Sequence, residues 1–143
     1  SGDVWKILEK KVKTQNLSEK IILINKIPKA ELMHYTYNAD LGISIDKNTN
    51  LNYYYSLPNK VFDYIHAGAP ILASKMPEIE NIINEYKIGD FINDHTPQNI
   101  ANKINEMLNS QNLSIYKANT ITAANELSWA KEKQKLKAIF AQF

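Results

Sequence analysis

Short apolar runs alternate with helix-period stripes along this chain, and few folds accept that alternation. Residues 21–24, 41–45, 70–73 and 90–92 have the length and character of strands. The first of these, Ile-Ile-Leu-Ile, is continuous, as expected of a strand covered on both faces. Helical patterns fill the intervals. Trp5, Leu8 and Val12 recur on one face of a helix over residues 4–14 that Asp3 can cap. Pro28 suits the first position of a short helix over 29–37, and Pro58 that of another, which Gly68 ends as a glycine just past its last turn. Pro77 opens a helix carrying Ile79, Ile82, Ile83 and Tyr86, after which Gly89 turns the chain into the last strand. Beyond Asp94 the pattern is all helical. A stripe of Ile100, Ile104, Met107 and Leu108 precedes a helix over 113–125, and Ser128 caps a final one bearing Trp129, Leu136, Phe140 and Phe143.

Strand, helix, strand, helix with short links means βαβ units. The expected fold is α/β: a Rossmann-like parallel sheet with helices on both faces, one domain over residues 1–143. Because the sequence opens on a helix that would normally follow a strand, at least one further strand is expected upstream. Residues 46–56 are polar, Asn-rich and end near three tyrosines, which reads as a long functional loop.

Composition narrows the chemistry. Apolar residues make up 44% of the 143, enough for a core, yet no apolar run approaches the ~20 residues of a membrane span. Cysteine is absent, so disulfides and thiolate metal sites are excluded, which fits a cytoplasmic protein. A net charge of +2 gives no reason to expect nucleic acid. All 17 basic residues are lysine. A phosphate site here must therefore use backbone N–H groups, hydroxyls, amides or Lys in place of the bidentate Arg fork.

The informative segment runs Ser56-Leu57-Pro58-Asn59-Lys60-Val61-Phe62-Asp63-Tyr64 and on through Gly68-Ala69-Pro70 to Ser74. It leads from a polar loop after a strand into a helix start, where parallel α/β sheets bind ligands. Unpaired N–H groups and the positive end of the helix dipole favour an anion there. Asn59 and Lys60 add an amide and a cation. Asp63 lies one turn deeper on the face of Asn59, placed to accept hydrogen bonds from ribose hydroxyls. Read without a ligand, the same residues are ordinary helix initiation with a solvated Lys60–Asp63 pair.

This segment resembles the donor-site signature of retaining GT-B glycosyltransferases of the group 1, or family 4, type, whose common bacterial form reads S-L-P-N-K-x-F-E-Y-x-x-x-G-x-P-V-x-A-S. Asp63 stands at that signature's second glutamate. The flanks agree: Ser1-Gly2-Asp3 is similar to a glycine-rich lead, 21–32 to a strand, Ile-Pro turn and helix, Ala39-Asp40-Leu41-Gly42 to an A-D-x-G strand entry, and 125–129 to a tryptophan-containing step. The resemblance implies the nucleotide-sugar-binding, C-terminal half of a GT-B fold, truncated at its start and lacking the acceptor-binding N-terminal half. It implies that Asp63 grips the ribose, that Ser56, Leu57, Asn59 and Lys60 hold the diphosphate, and that the Ile27 backbone meets the base. The first acidic position of the family falls at Tyr55, a departure that removes a carboxylate from the sugar contact. The cations that neutralise the diphosphate in relatives lie upstream.

The resemblance implies sugar transfer from a nucleoside diphosphate donor to an acceptor hydroxyl, with no metal needed, by analogy in bacterial surface-glycan assembly. It carries no catalytic residue onto this chain, so the fragment alone is expected to be inactive. It is compatible with peripheral attachment of the full-length enzyme to the inner face of a membrane. Two other readings stay open: a nucleotide-sugar 2-epimerase on the same architecture, and a non-catalytic α/β binding module. His34, His66 and His95 lack metal-ligand spacing and read as surface or turn residues. Tyr53, Tyr54 and Tyr55 can stack on a sugar or base, or pin their loop. Glu78 and Glu80 suit the dipole of the helix they open, and the lysines at 131, 133, 135 and 137 read as a solvated face.

Overall fold

The computed structural model describes residues 4–141. Asp3, the Ser1-Gly2-Asp3 lead and Phe143 lie outside the described residues, as do the expectations placed on them. The chain divides into two compact units, Ser1–Leu32 and Met33–Phe143.

The first unit holds helix α1 (Trp5–Thr14), an extended segment, and the opening of helix α2 (Lys29–Tyr37). Lys11 and Lys13 sit in the last turn of α1, where cations suit the dipole. The expected strand over 21–24 is not formed. A strand exists through ladder hydrogen bonds to a neighbour, and among the described residues this segment has none. Its first N–H instead bonds back to Leu17 at 2.9 Å. Ile22 is consequently 81% exposed, the opposite of a strand covered on both faces. Ile21 and Leu23 line a cleft of about 160 Å³ with Trp5 and Val12 of α1.

The second unit carries the sheet. Strands β1 (Gly42–Ser44), β2 (Ile71–Ala73) and β3 (Gly89–Phe91) are parallel in the order β1-β2-β3. Gly42, Ile71 and Gly89 share one register, and Ser44, Ala73 and Phe91 another. All three residues of β2 are buried, as a central parallel strand requires. The side-chain period of two divides them between faces. Ile71 and Ala73 pack with Val61 and Ile65 of helix α4 (Asn59–Ala67), with Ile79 and Ile83 of helix α5 (Pro77–Tyr86), and with Ala123 of helix α7 (Asn112–Glu126). Leu72 packs the other way, with Met107, Ile100 and Ile104 of helix α6 (Pro97–Asn109). The sheet is thus covered on both faces, and the α/β architecture is that of a Rossmann-like half of a GT-B fold. Helices α3 (Leu51–Tyr54) and α8 (Trp129–Phe140) complete the unit, and among the described residues no helix is long and apolar enough to cross a membrane.

Local sequence explains the ends of these elements. Gly68 takes φ +76° after α4, and Gly68 N–H and Ala69 N–H bond to Ile65 and Tyr64 carbonyls, the double closure of a Schellman turn. Ser128 caps α8 through the Lys131 N–H, as its position implied. Pro58 is the cap residue of α4 and Asn59 its first helical one, a position earlier than expected of that proline; Pro28 likewise precedes α2. Residues 46–56 are not wholly loop: Asn50 accepts from Tyr53 N–H at 3.0 Å and starts the one-turn α3. Gly89 is a strand residue rather than a turn, and what it answers is crowding, since a Cβ there would lie 1.9 Å from the Ile71 carbonyl oxygen.

Two polar links tie the helices down. Lys103 of α6 pairs with Asp90 at 2.7 Å and Glu106 at 2.9 Å over the Leu72 face. Burial works against the Lys103 charge, but the bonds to Asp90 and Glu106 more than offset it and hold the ammonium above its usual range. Tyr86 of α5 donates to Glu126 of α7 at 3.0 Å. Burial, then that bond and the Glu85 charge, push the phenol up to about 12. A raised folded value means the link contributes below pH ~10 and is lost as pH rises toward 12. Stability measured by urea titration should therefore fall across that interval, and Tyr86→Phe should flatten this part of the slope. An equal slope in both proteins would remove Tyr86 from the account.

Candidate functional site

The C-terminal ends of three parallel strands converge on one edge, where crossover connections leave a crevice. Asp46 follows β1, Ser74 follows β2 and His95 follows β3. His95 Nε2 lies 3.1 Å from Ser74 Oγ and 3.3 Å from the Asp46 carbonyl oxygen. A carbonyl can only accept, so contact with Asp46 places a proton on Nε2. Ser74 is almost fully buried, which makes this the fixed part of the edge. Together with Asn48, Lys75 and Asp94, these residues line a cleft of about 170 Å³. Asp94 accepts from Thr96 N–H at 2.7 Å and also from the Asn99 amide. Those bonds, Thr96 first, hold its carboxyl below the ordinary range and order the entry to α6.

The start of α4 opens on the same edge. Pro58 has no side chain that could cap it. Among the described residues no hydrogen bond is made by the N–H groups of Asn59 or Lys60. By contrast α3, α6 and α8 are capped by Asn50, Thr96 and Ser128. Helix α5 also lacks a side-chain cap, but Glu78 and Glu80 in its first turn supply its own anions; α4 has no acidic residue there. Helices α1 and α7 likewise have neither a side-chain cap nor a first-turn acid, so what sets α4 apart is Lys60 in its first turn and its place at the C-terminal edge of the sheet, a combination suited to an external anion.

Each residue singled out by the sequence has a place. Lys60, half-exposed, pairs with Asp46 at 2.8 Å, an interaction different from the expected i,i+3 pair with Asp63. Asp63 is partly buried on the same helix, one turn from Asn59. Leu57 packs on the core, so only its main chain can meet a ligand. The Ser56 N–H and hydroxyl both donate to the Tyr53 carbonyl, at 3.3 and 2.9 Å; its oxygen can still accept. Tyr55 ends α3 at 59% exposure, with Tyr54 edge-on at 4.9 Å between ring centroids. Ile27 belongs to the first unit, where it lines a cleft of about 400 Å³ with Trp5, Ile24, Asn25, Lys26 and Leu32. Of the histidines, His66 Nε2 lies 3.1 Å from the Leu127 carbonyl and holds the turn before α8. In the sequence His95 reads only as a surface or turn residue and Asp46 only as the start of a polar loop. Both lie just past the C-terminal ends of parallel strands, which is what brings them together.

A doubly covered parallel sheet with a cation-bearing helix start at its C-terminal edge defines an α/β domain of the Rossmann-like kind. The sequence places it more narrowly: the chain belongs to the glycosyl transferases group 1 family, whose profile matches residues 1–126. Members of that family take nucleotide-sugar donors. Neither the curated proteins nor the solved structures give a match to the chain.

Proposed function

We propose that this chain is the donor-binding half of a glycosyltransferase that moves a sugar from a nucleoside diphosphate to an acceptor hydroxyl. The single observation that carries the reading is the uncapped start of α4, with two N–H groups unbonded among the described residues, Lys60 beside them and no acidic residue in the turn. As the glycosidic bond to the leaving diphosphate lengthens, negative charge builds on the phosphate oxygens. Fixed N–H dipoles and the Lys60 ammonium stabilise that charge without reorganising. Ser56 Oγ and the Leu57 main chain extend the cradle. Asp63 accepts from the ribose hydroxyls, which keeps its charge away from the phosphates. The Ile27 main chain meets the base at the Asn25–Pro28 turn. The acceptor is bound by a separate N-terminal half, so the chain by itself binds donor weakly and does not turn over.

Saturation-transfer NMR with UDP, GDP and ADP tests the reading. Binding of one nucleotide is expected, with ribose protons prominent. Asp63→Ala should weaken those ribose signals by about tenfold in affinity, the loss of a charge-assisted bond. Ribose signals that persist unchanged in the variant would take Asp63 out of the site.

A further inference from the structure

The cation that serves the phosphate site is already held by an anion. Lys60 Nζ lies 2.8 Å from Asp46 Oδ2, and both side chains are about a third exposed, at 39% and 36%. Asp46 is the more fixed partner. Its carbonyl oxygen meets His95, which is anchored on the buried Ser74, and Oδ2 receives a long bond from the fully buried Ser44 hydroxyl at 3.5 Å. Lysine, a flexible point charge, is the member free to move.

Any phosphate oxygen that accepts from Lys60 then faces one of two situations. If the pair stays intact, the oxygen shares an ammonium with Asp46 and lies about 5 Å from its carboxylate, since each N–H···O bond spans about 2.8 Å. If Lys60 swings away, the pair is broken. Both penalties come from the Asp46 charge, and the first grows with the charge on the ligand. A free nucleoside diphosphate carries one more negative charge than its sugar ester, because its terminal phosphate ionises a second time near neutrality. From this we infer that Asp46 is a specificity-determining residue that sets the site against the free diphosphate product and in favour of the diphosphate sugar. The inference rests on reading the start of α4 as the diphosphate site. At about 5 Å and near-aqueous dielectric, one unit of charge is worth roughly fourfold in affinity.

The experiment measures dissociation constants of the 143-residue chain for UDP, GDP and ADP and for the glucose ester of each, following the tightest base, in the wild type, Asp46→Asn and Lys60→Gln. Asparagine keeps the main-chain contact to His95, and circular dichroism checks that the variant is folded. Asp46→Asn should bind both ligands more tightly, the free diphosphate gaining about fourfold more than the ester, with the difference shrinking at high salt. Lys60→Gln should weaken both. If Lys60→Gln weakens binding but Asp46→Asn fails to tighten it, or tightens both ligands equally, the role of Asp46 is overturned and the site stands. If none of the nucleotides binds, or Lys60→Gln binds like the wild type, the site itself is misplaced and the inference goes with it.

Discussion

Gly89→Ala should destabilise the domain by about 3 kcal/mol, at the upper end of what overpacking costs. The added Cβ would sit 1.9 Å from the Ile71 carbonyl oxygen and 2.8 Å from its carbon. That neighbour is main chain of the central strand and cannot rotate aside as a side chain would. Ile71 is itself fully buried, and its N–H bonds to the Ile88 carbonyl at 3.0 Å, so a shift there disturbs the β2–β3 ladder on both sides. Against a total stability of about 5–15 kcal/mol the loss is large. It should lower the thermal midpoint by on the order of 10 °C. Gly89 has no positive φ, so the effect is one of space alone. A urea midpoint matching the wild type would mean that the two backbones do not approach so closely.

The second large effect belongs to Ile65→Ala. Ile65 is 1% exposed and points from α4 into the cluster formed by Ile71, Ile83 and Ala123. Truncating such a side chain removes transfer energy and leaves a cavity, at about 2–5 kcal/mol. The position matters beyond stability, because Val61 and Ile65 seat α4 on the sheet and so fix where its open start lies. Nucleotide affinity should fall along with the urea midpoint. Ile121→Ala, on the exposed side of α7 at 66%, should leave both within about 0.5 kcal/mol. Equal effects of the two substitutions would contradict the packing described.

Reading the sequence alone succeeded where local pattern and tertiary packing agree. The runs before Ala73 and around Gly89 became strands because helices cover them on both faces. The helix after Pro58 was legible because its cues are local, a proline at its start and Gly68 just past its last turn. The run over 21–24 misled because apolarity marks a buried strand only when a partner supplies its hydrogen bonds, and pattern does not reveal the partner. Asn50 hid a helical turn in what read as loop, since a side-chain acceptor three residues before Tyr53 competes with open conformations. Asp46, Ser74 and His95 lie 28 and 21 residues apart in the sequence. Only the parallel register of the strands carries them to a common edge, so no spacing rule could join them.

Helix α7 has a consequence for how the protein comes into being. It packs on α4 and α5, its Lys117 reaches back to Asp40 at 2.9 Å, and its Asn119 amide donates to the Lys87 carbonyl at 2.9 Å. Those partners emerge from the ribosome well before it. A nascent chain halted ahead of Asn112 would display Val61, Ile65 and Ile83 with part of their cover missing. Closure of the core must therefore await translation through α7, and a chaperone that shelters the earlier segment would act in that window.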